Sequence, residues 1–219
     1  MSNMAKTTLL LIRHGESAGN RTNTFTGFED APLTETGFKQ AELLRDYLIN
    51  SDIDKVVSSD LSRAYLTALP LADAKGLEVE KHYNLREING GKWGGMEFAK
   101  IKDIYPEDFN VWVTDFANAV CTGGESVREL ADRVYKEICD IVDANRGKTV
   151  AVVIHGTPLR TLFCRWMGYS LDDLDNVPWA SNASVSTAVF EDDSLTPEIT
   201  EFNSTTHLEG LVTSLPRGI

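Results

Sequence analysis

Two places in this chain set a histidine against a glycine at the end of an apolar run. Leu9-Leu10-Leu11-Ile12 leads into Arg13-His14-Gly15-Glu16-Ser17, and Val150-Ala151-Val152-Val153-Ile154 leads into His155-Gly156. An imidazole with a free ring nitrogen is a nucleophile, and a guanidinium beside it holds an anion in forked geometry. Gly15 lets the backbone turn sharply and come close to a ligand. A lone histidine at a strand end is most simply a hydrogen-bonded structural residue. The second copy of the same arrangement is what argues for chemistry.

Arg63 extends the pattern. It falls in the first turn of a predicted helix, where the positive end of the macrodipole disfavours a cation unless an anion is present. The plainer reading of Arg63 is an ion pair with Asp60. Gathered at one sheet edge, Arg13, Arg63, His14 and His155 would make a pocket for a dianion such as a phosphoryl group, with Asn20 and the Gly156 amide as further donors. Transfer of that group from an ester needs an in-line nucleophile, charge stabilisation on the equatorial oxygens and an acid for the departing alkoxide. His14 is the nucleophile in this reading, its other ring nitrogen donating to a carbonyl in the Gly15 to Ser17 turn. Glu87, in Leu85-Arg86-Glu87-Ile88, is the best-placed acid.

The elements that must carry these residues follow from periodicity. Four consecutive aliphatics suit a strand covered on both faces, and open α/β sheets bind ligands at the carboxyl ends of such strands. Residues 15–33 lack periodicity and read as a long, functional loop. Thr34 caps a helix over about 35–50, and Lys55 to Ser59 is a second strand. The run Ser58 to Ala64 reads as a capped helix start, the helix continuing to about Lys75, disturbed by Pro70 and ended by Gly76, before a third strand over Glu78 to His82. This βαβ alternation predicts a parallel sheet. Residues 84–118 break the rhythm with paired glycines, Trp93, Trp112 and short helical pieces ending near Pro106, and read as an inserted cover. Ser126 and Glu129 form a capping box for a helix to about Asn145. A further helix spans about Pro158 to Met167, residues 183–190 and 198–203 are a closing strand pair, and the tail after His207 is expected to be weakly ordered. Trp93, Trp112 and Trp166 read as packing residues, with Trp93 the one most suited to face a ligand.

Composition narrows the class. The chain has 219 residues, 42% hydrophobic and 25% charged, enough for one well-buried domain. Acidic residues outnumber basic ones 33 to 21, a formal charge of -12, which disfavours nucleic acid and anionic membranes as partners. Cys121, Cys139 and Cys164 show no metal-type spacing and read as free thiols in a reducing cytoplasm. The amino terminus reads as lacking a secretory signal, and no apolar run approaches the length of a membrane span.

Arg13-His14-Gly15-Glu16-Ser17 with Asn20, Thr26-Gly27 and Leu33-Thr34-Glu35-Thr36-Gly37 resembles the histidine phosphatase superfamily, in its branch of phosphoglycerate mutases and related phosphatases. The resemblance continues through Ser59-Asp60-Leu61-Ser62-Arg63-Ala64, Leu85-Arg86-Glu87-Ile88, Gly123-Gly124-Glu125-Ser126 and His155-Gly156. It implies one domain over 1–219, a three-layer α/β sandwich with a mostly parallel sheet and helices on both faces, and a cover over 84–126. It implies further that His14 is phosphorylated, that Arg13, Arg63, His155 and Asn20 hold the phosphoryl group, that Thr26, Gly27 and Gly156 contact substrate, and that Glu87 is the proton donor, with no metal or organic cofactor. Mutases of this branch carry a lysine about eleven residues after the acid and a pair of arginines beyond it. Here Phe98 stands at the first position and no arginine occurs between Arg86 and Arg128, with Lys100 and Lys102 as partial substitutes. The expectation is a phosphatase acting on a small phosphorylated substrate, ahead of a mutase or a non-catalytic phospholigand-binding protein.

Overall fold

Leu9 and Leu11 point to one side of the sheet and Leu10 and Ile12 to the other, and each side is covered by its own apolar cluster. The computed structural model describes residues 6–191 and 193–213. The central strand β1 (Thr7–Arg13) lies between β4 (Thr149–Ile154) and β5 (Val185–Phe190). With β2 (Lys55–Ser59), β3 (Val79–His82) and β6 (Glu198–Ser204), the six strands run in the order β3-β2-β4-β1-β5-β6. The β1–β4, β2–β4 and β2–β3 pairs are parallel, and β5 and β6 close the sheet antiparallel.

The two faces make this a three-layer α/β sandwich. On one side, α2 (Glu35–Leu48) and α3 (Ser62–Lys75) bury Leu44, Leu48, Ala64, Ala68 and Leu71 against Leu10, Ile12 and Val56. On the other, α6 (Val127–Ala144) and α7 (Gly156–Trp166) bury Leu130, Val134, Leu159 and Phe163 against Leu9, Leu11 and Val152. Each such aliphatic side chain, taken from water to full burial, contributes about 1.5–3 kcal/mol. The same face carries α4 (Phe98–Ile104) and α5 (Pro106–Thr114) from the segment expected as a cover. That segment is tied to the loop after β1, where Phe25 N–H donates to Met96 O at 2.8 Å and Gly95 N–H to Phe25 O at 2.9 Å.

Several local expectations change. The aperiodic loop 15–33 contains a short helix, α1 (Ala18–Thr22), capped by Ser17 and Asn20. Helix α7 starts at Gly156, two residues before Pro158, because His155 serves as its N-cap directly from the strand. Pro106 opens α5, where a proline's missing N–H costs nothing. The N-cap of α3 is Leu61, which has no capping side chain; Asp30 Oδ1 accepts the Ser62 N–H at 2.8 Å instead. The helix runs through Pro70 to Lys75, and Gly76 ends it at φ 67° as expected. The tail is anchored up to residue 213: Gln40 Nε2 donates to Leu211 O at 2.7 Å and to Thr213 Oγ1 at 3.0 Å. The rest of that tail, and residues 1–5 on which the signal expectation partly rested, lie outside the described residues. Among the described residues no helix is long and apolar enough to cross a membrane.

The turn after β1 is pressed onto the start of α2. A Cβ on Gly37 would lie 2.1 Å from Glu16 O, and one on Gly15 would lie 2.7 Å from Gly37 O, both far inside contact distance. Gly37→Ala is therefore expected to cost about 2 kcal/mol and lower the melting temperature by roughly 4–8 °C, as read by calorimetry.

Candidate active site at the carboxyl ends of the central strands

Parallel pairing of β1 with β4 aligns Arg13 with Ile154, so the next residue of each strand emerges at the same edge. The rings of His14 and His155 meet with centroids 5.1 Å apart, tilted 59°. Strand β2 lies on the far side of β4 and leads into α3, whose second residue, Arg63, is fully buried. The structure thus brings together Arg13, His14, Arg63, Glu87, Asn20, Thr26, Gly27 and Gly156 around one cavity, with His155 buried immediately behind it. The cavity encloses about 610 Å³ of empty space, its open mouth included, enough for a small ligand.

Hydrogen bonds settle which atoms are free. His14 Nδ1 lies 2.7 Å from Gly15 O. A carbonyl only accepts, so Nδ1 carries the proton and Nε2 keeps its lone pair. His155 Nε2 lies 2.8 Å from Ser59 Oγ, while its Nδ1 is buried without a partner. If the serine hydroxyl donates to Nε2, the unpartnered Nδ1 is a donor. Arg13 spends Nη1 on Ala180 O at 2.6 Å, and Arg63 spends Nη1 on Glu29 O and Nη2 on Gly27 O, each at 2.8 Å. The Nε of both arginines is buried and unpartnered. Buried donors left open in this way cost about 1–3 kcal/mol each and point to a ligand that completes them.

The charges follow from burial. Desolvation, opposed by the Glu87 carboxylate, pushes both guanidiniums down to about 10, so they remain cationic at neutral pH. Burial, then Arg63 and Arg13, hold His14 well below the usual histidine range. Burial, then Arg63, His14 and Arg13, do the same to His155. Two neutral imidazoles beside two cations make an anion site, and the His14 ring that lines it keeps its Nε2 unprotonated.

A supporting layer holds these groups in place. Asn182 is fully buried, and its Nδ2 donates to His14 O at 3.0 Å and to Asn20 Oδ1 at 3.2 Å. Asn20 Oδ1 also accepts the Ser17 N–H and hydroxyl, each at 3.0 Å, which leaves its amino group for the cavity. Glu87 accepts the Ile88 N–H at 2.9 Å and the Thr157 N–H, in the first turn of α7, at 3.3 Å. Arg133 ties down the backbone before it, donating to Asn84 O at 2.7 Å and Arg86 O at 3.2 Å, and is held by both oxygens of Glu125 at 2.8 Å. Asp60 pairs with Arg86, not with Arg63.

Sequence reasoning missed Asn182, Arg133 and Trp179, none of which sits in a spacing that marks it, and it quoted Ser59 in a motif without its contact to His155. Trp93, Trp112 and Trp166 all pack in the core as expected, but the one that also faces the cavity is Trp112 and not Trp93. Trp93 is buried in the core, its Nε1 donating to Thr122 Oγ1 at 2.9 Å, while Trp112 and Trp179 line the cavity. Phe98 lines the cavity, and Lys100 and Lys102 do not. Glu125 is a structural partner of Arg133, and Ser126 caps α6 in the expected capping box. His82 bonds to Glu80 and Glu137, and His207 is buried against Ala183 O.

Comparison with known proteins agrees with this geometry. The family model for the histidine phosphatase superfamily (branch 1) matches residues 9–205. Phosphoserine phosphatase 1 of Hydrogenobacter thermophilus is 39% identical over 163 residues, 74% of this chain and 77% of that protein. The probable phosphoglycerate mutase GpmB of Yersinia pestis is 34% identical over 162 residues, 72% of this chain and 74% of that protein. The solved structure of a mycobacterial glucosyl-3-phosphoglycerate phosphatase superposes with a TM-score of 0.81 at 27% identity, covering 91% of this chain and 100% of that one.

The neutral histidines make a pH prediction. In the unfolded chain they take up protons near 6.5, the ordinary histidine value, whereas in the fold they stay neutral well below it. Falling pH then loads protons onto the unfolded state alone, so their contribution to stability is complete above about 6.5 and is lost progressively below it. The melting temperature should be lower at pH 5.5 than at pH 7.5, and His155→Asn should flatten that slope in a calorimetric series; His207, lowered by burial, acts in the same direction.

Proposed function

This chain belongs to the histidine phosphatase superfamily, and we propose that it hydrolyses a small phosphate monoester through a phosphohistidine at His14. The observation that carries the reading is the His14 Nδ1 hydrogen bond to Gly15 O, which leaves Nε2 unprotonated beside the open Nε donors of Arg13 and Arg63. In the first step, entered with the bound phosphoryl dianion beside a protonated Glu87, Nε2 attacks phosphorus, the ester P–O bond breaks, and Glu87 gives that proton to the departing alkoxide. In the second, water attacks the phosphohistidine, Glu87 takes the water's proton, and inorganic phosphate leaves with His14 restored. Arg13, Arg63, His155 Nδ1, Asn20 and the Gly156 N–H, in the first turn of α7, stabilise the charge on the equatorial oxygens. Thr26 and Gly27 border the alcohol. Residues 84–126 form a cover over one domain that carries the entire site. The free state of Cys121, Cys139 and Cys164 supports a cytosolic setting.

Hydrolysis is favoured over phosphoryl return by the cavity itself. A mutase must also grip a carboxylate and a second phosphate, and Phe98 occupies the wall where a lysine would serve. The similarity to GpmB keeps the mutase as the second reading.

His14→Ala should abolish turnover and acid-labile phosphate labelling together; hydrolysis retained in that variant refutes the nucleophile. Glu87→Gln should slow alkyl phosphates by about 100-fold or more and aryl phosphates far less, since only poor leaving groups need the proton. Equal losses on both argue against the assigned acid. Assaying 3-phosphoglycerate with a bisphosphoglycerate primer separates the two readings, because free phosphate supports hydrolysis and 2-phosphoglycerate supports the mutase.

A further inference from the structure

The cavity has two unlike parts. Behind its cationic end stands a wall of Phe25, Phe98, Trp112, Trp179 and Ile88. Its rings form one connected set, Phe25 lying 5.2 Å from Trp112 and 5.7 Å from Phe98 between centroids. Phe116 links Trp112, at 4.6 Å, to Trp179, at 5.9 Å. Arg160 lies over one face of the Trp179 ring, 4.6 Å from its centroid, and is itself anchored to Val177 O at 2.8 Å and Asp175 at 3.0 Å. Rigid aromatic surface facing a cavity is a binding platform: it offers large apolar area at little cost in side-chain entropy.

The charge count is as informative. Among the described residues lining the cavity the arginines and lysines are Arg13 and Arg63, both at the phosphoryl end. Three further guanidiniums are already matched, Arg86 by Asp60, Arg133 by Glu125 and Arg160 by Asp175, and the exposed Arg21 of α1 is not part of the lining. The polar groups on the remaining wall, Asn23, Thr24 and Thr26, are neutral. A carboxylate on the alcohol would lose water against a lining that carries no cation beyond the phosphoryl end and would face the Glu87 carboxyl besides.

We propose that this site selects monophosphate esters of uncharged alcohols bearing an aromatic or planar apolar group, over carboxylate-bearing esters such as phosphoserine or phosphoglycerate. The inference rests on the phosphatase reading above and names the substrate class of that same site. The arginines take the phosphoryl group, the rings take the alcohol, and the neutral rim tolerates hydroxyls.

The test compares kcat/KM for 2-phenylethyl phosphate, ethyl phosphate, phosphoserine and 3-phosphoglycerate. All four are primary alkyl esters, so differences report on recognition of the alcohol more than on its departure. The phenylethyl ester should exceed the other three by roughly tenfold or more, mainly through KM. Trp112→Ala and Trp179→Ala should each shrink the phenylethyl-to-ethyl ratio severalfold. Phosphoserine or 3-phosphoglycerate turned over as well as the phenylethyl ester, or a ratio that neither variant moves, overturns the proposal while leaving a phosphatase. Should no ester, p-nitrophenyl phosphate included, release phosphate, the phosphatase reading fails. Calorimetric binding of 2-phenylethyl phosphate against phosphoserine then decides the selectivity by itself, tighter phosphoserine binding overturning it.

Discussion

Two guanidiniums buried at one edge of the sheet, Arg13 ending β1 and Arg63 in the first turn of α3, with no carboxylate bonded to them, are the constraint on which the rest of this structure depends. Arg13 and Arg63 are tied to backbone carbonyls of residues 27, 29 and 180, so their charge is solvated by peptide dipoles and stays available to a ligand. Burial lowers each to about 10 and leaves each Nε without a partner, a desolvation cost that the carbonyls offset only in part. A bound dianion returns that cost, so the unliganded fold stores part of its binding energy as unsatisfied cationic donors.

The same concentration of charge orders the histidines. Burial first, and then these nearby cations, keep His14 and His155 neutral. The tautomers depend on single partners, Gly15 O for His14 and Ser59 for His155. The chain's net charge of -12 therefore coexists with an anion site because the acidic groups near it are engaged: Asp60 by Arg86, Glu125 by Arg133 and Asp30 by the start of α3. Only Glu87 enters the cavity among the carboxylates of the described residues.

Stability and site geometry share the same contacts around the first strand. The turn holding His14 packs against Gly37, Glu16 N–H donates to Gln40 at 2.7 Å, and Gln40 in turn holds residues 211 and 213. Thr213 reaches Asn182, which holds His14 and Asn20. The end of the described chain is thus part of the scaffold of its beginning, and the weakly ordered tail expected after His207 is not what residues 208–213 form.

The sequence alone determined the strands that end in His14 and His155, the helices between them, and the family motifs that name Arg63 and Glu87, because aliphatic runs, caps and glycines are local signals. What it left open was decided only by tertiary packing. Asn182 and Ser59 act across 168 and 96 residues of separation, and no periodicity announces such partners. Trp93 went to the core while Trp112 and Trp179 went to the cavity, since the side of a short helix or loop that faces a ligand depends on what packs behind it. Residue type specified the chemistry; the close approach of distant segments specified which atoms are left free to perform it.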